Sequence, residues 1–520
     1  MAVQLFSILE DIVTLIDIRF LVIWCLLVTS LAVLYRAWND PLSRVPGPWI
    51  SRWTGILDTF YYVRGYRHEY VHSLHLKYGP IVRYSPGHVD ISDIGAVNVI
   101  HRLEKGYLKA NWYLSLAPPG VWTLMNITDP KMHTTWRRLL GGPFQDSYLQ
   151  KLEPVIWKKM DLALGKMEQE LQTRGCIDVL KWWIYMALDI VTEISYGTSV
   201  DILREEEKRY YIIEYLEGLG PVHAIRTTIP SVIMIASRLR LPIFNKLLNA
   251  GPRAAIWAQE TIEAYKLLLS EKDPKPTLFT PLFNKGDKGF KDDQIANLAG
   301  SNITAGSHTT ATVMTYAVWA ICKHPEVRDK LAAEVSTLPE GFKHNDVRAL
   351  PYLNRVIRES VRLYAAVPSV LPRAVPSEGA QFLGFFIPGG SVVSTQCYSL
   401  HRVKEYFNDP LKSGSSSIQI DGYLRRRIWR RRIWDLGPVH DVRNPKSKRS
   451  MADFLTPNRL LACVGINLAH TELRLGLSHF FRKFPTAVVS GDEGMTDGDM
   501  RQRAWVFMSP VGHRCLVNVP

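Results

Sequence analysis

The middle of one long predicted helix holds the polar side chains that could act on a bound ligand. Apolar residues at three- and four-residue spacing predict this helix over about 292–323, begun by Asp292 and Asp293 and ended by Pro325. Its centre reads Ala305-Gly-Ser-His-Thr-Thr310, where the glycine costs about 1 kcal/mol relative to alanine and hydroxyls can bond to carbonyls four residues earlier. The weak centre favours a ligand lying against the helix or, equally, a packing kink between crossing helices.

Charged residues at regular positions follow this helix. Glu359 and Arg362 lie three residues apart on one face of a helix predicted over 352–364. A surface ion pair at this spacing is common and contributes little stability by itself. The order of the motifs is more informative: after the long helix come a short helix at 326–336, the Glu-x-x-Arg pair, Pro372-Arg373, Ile387-Pro-Gly-Gly390 and His401-Arg402.

Composition excludes several classes of protein. Of the 520 residues, 47% are apolar and 22% are charged, so the chain can bury a large core and is not a disordered polymer. The net charge of +14 suggests nucleic-acid binding, but residues 411–450 alone hold eleven Lys/Arg and three Asp. Because the excess is local, we predict no nucleic-acid partner for the rest of the chain. Six cysteines lie far apart without a CxxC motif, which indicates reduced thiols facing the cytosol.

The N-terminus carries a candidate membrane anchor. Residues 20–35 number sixteen, contain no charge and are bounded by Arg19 and Arg36, against about 20 residues needed to span a bilayer. No small-residue cleavage site follows, so we expect a retained single-pass anchor over 20–36 behind a lumenal segment 1–19, with a buried core helix as the alternative. The arginines that follow the segment place residues 51–520, beyond a proline-rich hinge at 37–50, in the cytosol.

Taken together, these motifs resemble the cytochrome P450 family, the haem-thiolate monooxygenases. Three further segments resemble its microsomal, fungal branch: Pro46-Gly-Pro48, residues 76–82 and residues 133–139. The resemblance covers roughly 40–410 and 460–520. It implies the cytochrome P450 fold, mostly α with a minor β-sheet, in a single large domain at the endoplasmic reticulum membrane.

The resemblance assigns the haem iron to Cys463. The run from Cys463 to Arg474, Cys-Val-Gly-Ile-Asn-Leu-Ala-His-Thr-Glu-Leu-Arg, is similar to the family's CxGxxLAxxExR segment entering a helix. A thiolate at a helix N-terminus gains from the helix dipole and from free amides, so we expect a lowered pKa. The resemblance also implies that His133, Arg137 and Arg373 bind the haem propionates, with Arg138 as the alternative if the register shifts by one residue.

On the opposite side of the haem the resemblance implies a dioxygen site. Ala305 and Gly306 would leave space for O2, and the Thr309 hydroxyl would deliver protons. The family usually has an acid before that threonine, whereas this chain has His308, which can relay protons near neutral pH or simply bond to the backbone.

The resemblance gives the Glu-x-x-Arg pair a structural role. Glu359 and Arg362 would form a folding brace and take no part in the chemistry, because a buried charge left without its partner is costly.

One block, from about 411 to 461, departs from the family pattern. The family has Phe-x-x-Gly-x-Arg before x-Cys, but at those offsets this chain has Thr456, Arg459 and Leu461. A Pro-Glu-Arg-Trp-like segment is missing, and Arg425-Arg-Arg-Ile-Trp429 and its repeat at 430–434 stand in its place. A contiguous anomaly favours a local frame or splice error, or a decayed gene, over adaptive redesign.

Three functions stay open. The first is a monooxygenase that inserts one oxygen atom from O2 into a lipophilic small molecule, in fungal secondary metabolism, with electrons from NADPH–cytochrome P450 reductase. Apolar, aromatic stretches at 112–122, 367–371 and 506–508 would line its substrate cavity. The second is a haem-free, catalytically inactive membrane protein of the same fold. The third is a basic module in which 425–434 binds nucleic acid or anionic lipid.

Overall fold

Helices form most of the chain, and short strands lie at its edges. The computed structural model describes residues 18–102, 105–117, 120–229, 292–407 and 463–520, with short stretches between 231 and 290. In that part of the chain the α-helices are α1 (Ile18–Trp38), α2 (Ile56–Val63), α3 (Arg67–Tyr78), α4 (Ile94–Ile100), α5 (Pro130–Gly141), α6 (Asp146–Arg174), α7 (Val179–Tyr196), α8 (Glu206–Thr228), α9 (Asp292–Cys322), α10 (Pro325–Ser336), α11 (His344–Arg348), α12 (Pro351–Leu363), α13 (Cys397–Leu400) and α14 (Ile466–Lys483).

The strands form small separate sheets. They are β1 (Ile81–Ser85), β2 (His88–Ile91), β3 (Ile177–Asp178), β4 (Arg373–Ala374), β5 (Ala380–Phe382), β6 (Phe385–Ile387), β7 (Val392–Ser394), β8 (Val488–Val489), β9 (Gln502–Ala504), β10 (Met508–Pro510) and β11 (Leu516–Asn518). Among the described strands, the largest sheet has the order β1-β2-β7-β4, and β2 runs parallel to β7. This sheet carries Arg373 at the start of β4.

Helix α9 runs through the main hydrophobic core, where it packs against α7, α12 and α14. Glycines allow two of these approaches. A Cβ on Gly306 of α9 would lie 2.8 Å from Cγ2 of Val191 on α7, and a Cβ on Gly476 of α14 would collide with Met314 of α9. The close packing fixes α9 between the helix that follows Cys463 and the rest of the core.

The predicted fold class is confirmed. Helix α9 has almost the bounds predicted from the sequence, and α12 is displaced by one residue from the predicted 352–364. At the centre of α9, Ser307 donates to the Ile303 carbonyl at 2.6 Å, which is the backward bond predicted for hydroxyls in this stretch. The division of the chain at residues 19, 36 and 50 stays a prediction.

The predicted membrane anchor is not supported. The segment is helical within α1, but across the described residues no helix is both long enough and apolar enough to cross a bilayer. The location at the endoplasmic reticulum membrane stays a prediction.

Candidate active site

Cys463 lies three residues before Ile466, where α14 begins. Its side chain is exposed, yet protein atoms surround the sulfur closely enough to exclude much of the water. This desolvation raises the pKa of the Cys463 thiol, while the Gly465 backbone N–H and the Arg137 guanidinium act to lower it. The expected lowering by the helix N-terminus is therefore outweighed by burial. A metal ion that binds a thiol removes its proton directly.

Four basic side chains lie close together, and one of them, Arg137, interacts electrostatically with the Cys463 sulfur. We call them the cation cluster: Lys109, His133, Arg137 and Arg373. They come from different elements, since His133 and Arg137 belong to α5, Arg373 begins β4, and Lys109 pairs with Arg373 in an isolated bridge. Within the described residues, no carboxylate forms an ion pair with Lys109, His133 or Arg373.

Burial is the main cause of the lowered pKa values within the cation cluster, and repulsion between like charges adds to it at His133 and Lys109. Burial, then Lys109, Arg137 and Arg373, lower the pKa of His133 to about 4. Burial and the two arginines lower the pKa of Lys109 to about 7. Like charges held together without an acidic partner are unfavourable, so the cluster has the character of a site for an anion.

Arg373 and His133 are the two buried members of the cluster, and the surroundings of Arg373 are the more telling. The Arg373 side chain is 8% exposed, and its Nε atom has no hydrogen-bond partner. The guanidinium lies 5.9 Å from the ring centre of Tyr113, and Lys109 Nζ lies 5.4 Å from the same ring. A guanidinium N–H without a hydrogen-bond partner, beside three other basic side chains, fits a pair of carboxylates such as haem propionates.

Helix α5 sets the register of its two cluster members. The Asp129 carboxylate accepts from the Met132 N–H at 2.6 Å, which caps the helix start just before His133. His133 and Arg137, four residues apart, then lie on the inward face, whereas Arg138 is exposed. This geometry favours Arg137 over the alternative, Arg138.

Lys109 is a member that sequence reasoning missed. Its ammonium donates to the carbonyls of Leu124 at 2.6 Å and of Met125 at 2.9 Å, which holds it in the cluster. The segment around Lys109 matches no helix or strand period, and one lysine in such a loop is ordinarily a solvated side chain. The available signal was its place between the aromatic residues Tyr107 and Trp112.

Helix α9 presents different side chains to different neighbours. Ala305 is exposed, which fits the expected space for O2, and the Thr309 hydroxyl donates to the Ala305 carbonyl at 2.6 Å. Gly306 instead faces Val191, so its missing side chain serves helix packing, and its place beside dioxygen stays a prediction.

His308 borders a cavity between α8, α9 and the β9–β10 turn. Glu217 and His513 line the same cavity, and His513 Nδ1 lies 3.6 Å from the Glu217 carboxylate. Burial lowers the pKa of His308 to about 4, with Glu217 acting in the opposite direction. His308 is therefore neutral at pH 7, and its buried Nδ1 has no hydrogen-bond partner.

Glu359 and Arg362 form a bidentate ion pair with each other at the C-terminal end of α12. Arg362 donates through Nε and Nη2 to the two Glu359 oxygens at 2.8 and 2.6 Å, and through Nη1 to the His401 carbonyl at 2.5 Å. In return, His401 Nδ1 donates to the Arg362 carbonyl at 2.9 Å, and Arg402 donates to the Leu363 carbonyl at 2.9 Å. These bonds join the C-terminus of α12 to the turn after α13.

The predicted substrate-lining stretches meet in part. Trp112, Val367, Ser369, Val370, Leu371 and Val506 line a common cavity. Tyr62 and Trp505, which the sequence did not single out, line it as well. The departing block, with Thr456, Arg459, Leu461 and the basic repeat at 425–434, lies outside the described residues.

Comparison with known proteins gives a consistent result. The family model for Cytochrome P450 matches residues 46–412. Cytochrome P450 monooxygenase orf2 of Aspergillus niger is 42% identical over 497 residues, covering 95% of this chain and 96% of that protein. Cytochrome P450 monooxygenase tazI of Aspergillus terreus is 41% identical, covering 96% and 98%. Cytochrome P450 monooxygenase stcB of Emericella nidulans is 30% identical, covering 93% and 89%.

Proposed function

This chain belongs to the cytochrome P450 family, and on that premise we propose that it inserts one atom of O2 into a lipophilic small molecule with electrons from NADPH, delivered by a reductase. Membership makes it an oxidoreductase with a haem-thiolate cofactor. Fungal secondary metabolism is our proposal for its setting, supported by the fungal origin of the relatives and by the apolar, aromatic walls of its cavity.

The observation that carries the proposal is the convergence of the cation cluster on Cys463. Arg137 belongs to the cluster and interacts electrostatically with the cysteine sulfur, so the cluster lies beside the cysteine. The sulfur would hold the haem iron on one side, and the cluster would bind the propionates. When bound, haem supplies the activation of O2 by electrons that originate from NADPH.

The side chains of α9 supply protons in this proposal. Neutral His308 can accept a proton at Nδ1 and pass it on, and Glu217 and His513 connect its cavity to solvent, since their side chains are 35% and 39% exposed. Thr309 can then carry the proton on Oγ1 after its hydroxyl turns away from the Ala305 carbonyl. Glu359 and Arg362 hold α12 in place and do not touch substrate in this proposal.

An oxygen-18 experiment tests the proposed reaction. The purified full chain is combined with a fungal NADPH–cytochrome P450 reductase, NADPH, a lipophilic aromatic test compound and ¹⁸O2, and the products are analysed by mass spectrometry. We expect product that contains one ¹⁸O atom and forms only when reductase is present. A chain that retains no haem after supplementation, yields no labelled product and consumes no NADPH would support the haem-free, inactive alternative. A chain that retains haem but yields no labelled product from a broad set of compounds would contradict the proposed reaction.

A further inference from the structure

A second cavity lies beside the one bordered by His308. The two share Trp505 and Val506 in their walls, so they are neighbouring parts of one region. The second cavity has no contribution from α9, and its walls are largely apolar, with Val367, Val370 and Leu371 among them. The free space of this cavity, about 10 Å³, holds one small group such as a single oxygen atom, and the apolar walls suit the adjoining part of a lipophilic molecule.

Three polar atoms in this wall have no hydrogen-bond partner. They are Tyr62 Oη, Trp112 Nε1 and Ser369 Oγ, which we call the donor triad. Tyr62 is 1% exposed and Ser369 is 4% exposed. Because an unpaired polar atom shielded from water is costly, three of them around one cavity indicate a missing ligand group.

All members of the donor triad can donate a hydrogen bond. Indole nitrogen can only donate, and burial raises the pKa of Tyr62, so its hydroxyl keeps its proton. Thr227 and Trp112 lie near the Tyr62 hydroxyl. The Thr227 hydroxyl donates to the His223 carbonyl at 2.8 Å, and the Trp112 N–H could only donate to the Tyr62 oxygen, so the Tyr62 O–H keeps its own hydrogen for a ligand. The matching ligand group is therefore a hydrogen-bond acceptor.

The cavity carries no unpaired charge to attract an anion. Its wall includes Arg67, whose guanidinium donates through Nε and Nη2 to both oxygens of Asp58 at 2.6 and 2.7 Å. A bidentate pair of this kind satisfies the cation. A neutral carbonyl oxygen thus fits the cavity better than a carboxylate does.

The wall is held rigidly. Trp505 Nε1 donates to the Val63 carbonyl at 2.9 Å, which ties the β9–β10 turn to the end of α2, next to Tyr62. Gly220 of α8 lies against the Trp505 ring, where a Cβ would collide with it. A site fixed before the ligand arrives loses less entropy on binding.

We propose that the donor triad recognises a carbonyl oxygen of the substrate, so that the substrate class is a neutral, lipophilic ketone, quinone or lactone. The rest of the molecule extends past Trp505 and Val506 toward His308. This inference rests on the proposed monooxygenase function, because it assigns the cavity to the substrate of that reaction.

The test compares 1-tetralone with tetralin, which share a skeleton and differ in the carbonyl. Equilibrium dialysis against the full-length holoprotein measures both dissociation constants without using the haem signal. We expect 1-tetralone to bind about tenfold more tightly, and Tyr62→Phe or Ser369→Ala to reduce this preference roughly three- to tenfold.

Tyr84→Phe is the matched control. Tyr84 is 1% exposed and contacts Arg67 as Tyr62 does, with ring centres 5.2 and 5.0 Å from the guanidinium carbon, but its hydroxyl lies 3.3 Å from Ser394 Oγ. We expect Tyr84→Phe to lower the melting temperature and keep the preference, and Tyr62→Phe to keep the melting temperature and lose the preference.

Three results would overturn the donor site: no preference for 1-tetralone in the parent, including no binding of either compound; an unchanged preference in both Tyr62→Phe and Ser369→Ala; or an equal loss in Tyr84→Phe. The reduced, CO-bound spectrum of the same samples separates the two proposals. A sample that prefers 1-tetralone but lacks the thiolate-type band supports the donor site and counts against the monooxygenase.

Discussion

Arg362 and Arg373 are equally buried, at 8% exposure each, but their surroundings differ. Arg362 has a bidentate carboxylate, a carbonyl and an aromatic ring 4.6 Å away at Phe407. Arg373 has a tyrosine ring, three neighbouring basic side chains and an Nε atom without a hydrogen-bond partner. The Arg362 guanidinium therefore has its hydrogen bonds and a compensating negative charge, whereas, within the described part of the chain, the equally buried Arg373 guanidinium lacks both a carboxylate partner and a bond at Nε.

The difference between the two arginines distinguishes a buried cation that stabilises the fold from one that belongs to a binding site. A buried cation that is fully paired serves the fold, because removing either partner leaves a charge without compensation. A buried cation among other cations costs stability unless a ligand supplies the negative charge. The predictions below change one side of this contrast at a time.

The largest loss of stability is expected at the brace. Glu359→Gln leaves the Arg362 guanidinium buried without a carboxylate, which should lower the free energy of unfolding by about 3 kcal/mol. Urea denaturation of the full chain measures this value. Glu340→Gln, at an exposed position, is the control and should change it by less than about 0.5 kcal/mol. A loss below about 1 kcal/mol in Glu359→Gln would contradict the brace.

Arg373→Met should weaken haem binding and leave the stability of the haem-free chain unchanged, the reverse of what is expected for Glu359→Gln. Haem affinity should fall roughly 10- to 100-fold, because a charge-assisted bond to a propionate is lost. The haem-free chain should keep its stability, since the substitution removes an uncompensated buried charge. Haem titration and urea denaturation of the haem-free chain measure the two effects, and Arg138→Met is the exposed control. An equal stability loss in the haem-free chain would assign Arg373 to the fold alone.

The buried His101 beside Arg373 makes the stability of this region depend on pH. His101 Nε2 lies 2.7 Å from Thr395 Oγ1, and burial, with Arg373, lowers the His101 pKa to about 3. Between the unfolded value near 6.5 and this folded value, only the unfolded chain binds the proton. The stability that His101 contributes is therefore complete above pH 6.5 and is lost as the pH falls toward 3, by about 2 kcal/mol at pH 5.

His101→Gln keeps a donor for Thr395 and removes this titration. Urea denaturation at pH 7.5 and pH 5 should show that the variant loses about 2 kcal/mol less on acidification than the parent. Equal losses in both chains would show that His101 is not held neutral.

Lys109 has more hydrogen-bond partners than Arg373 but, unlike Arg362, no carboxylate among them. Its replacement should therefore change stability and haem binding least. It donates to two carbonyls but has no carboxylate partner among the described residues. Lys109→Met should cost about 1 kcal/mol of stability, because two carbonyls lose their donor, and should weaken haem binding a few-fold. Haem retention that is unchanged, measured by titration, would remove Lys109 from the cluster.

The sequence predicts what depends on neighbouring residues. Helix α9, its backward-bonded hydroxyls and the Glu359–Arg362 spacing follow from periodicity and local chemistry. The family resemblance supplied Cys463, His133, Arg137 and Arg373, whose convergence no local pattern shows. The fungal P450 assignment agrees with the family match and the relatives.

The remaining features arise from long-range contacts. Lys109 and Tyr62 are ordinary residue types whose position near the site depends on where β4 and the β9–β10 turn lie. The predicted lowering of the Cys463 pKa was wrong, because burial raises this pKa. Burial depends on the folded chain, and the position of Cys463 before a helix does not reveal it. The predicted membrane anchor is not supported, because no helix in the described part of the chain qualifies as a membrane span.

The central claim is that the Cys463 thiolate holds haem iron beside the cation cluster. The reduced, CO-bound difference spectrum of the purified full chain, compared with that of Cys463→Ala, tests it most directly. We expect a thiolate-type Soret band in the spectrum of the parent and its loss in the spectrum of Cys463→Ala. A parent without that band after haem supplementation, or a variant that retains it, would contradict the account.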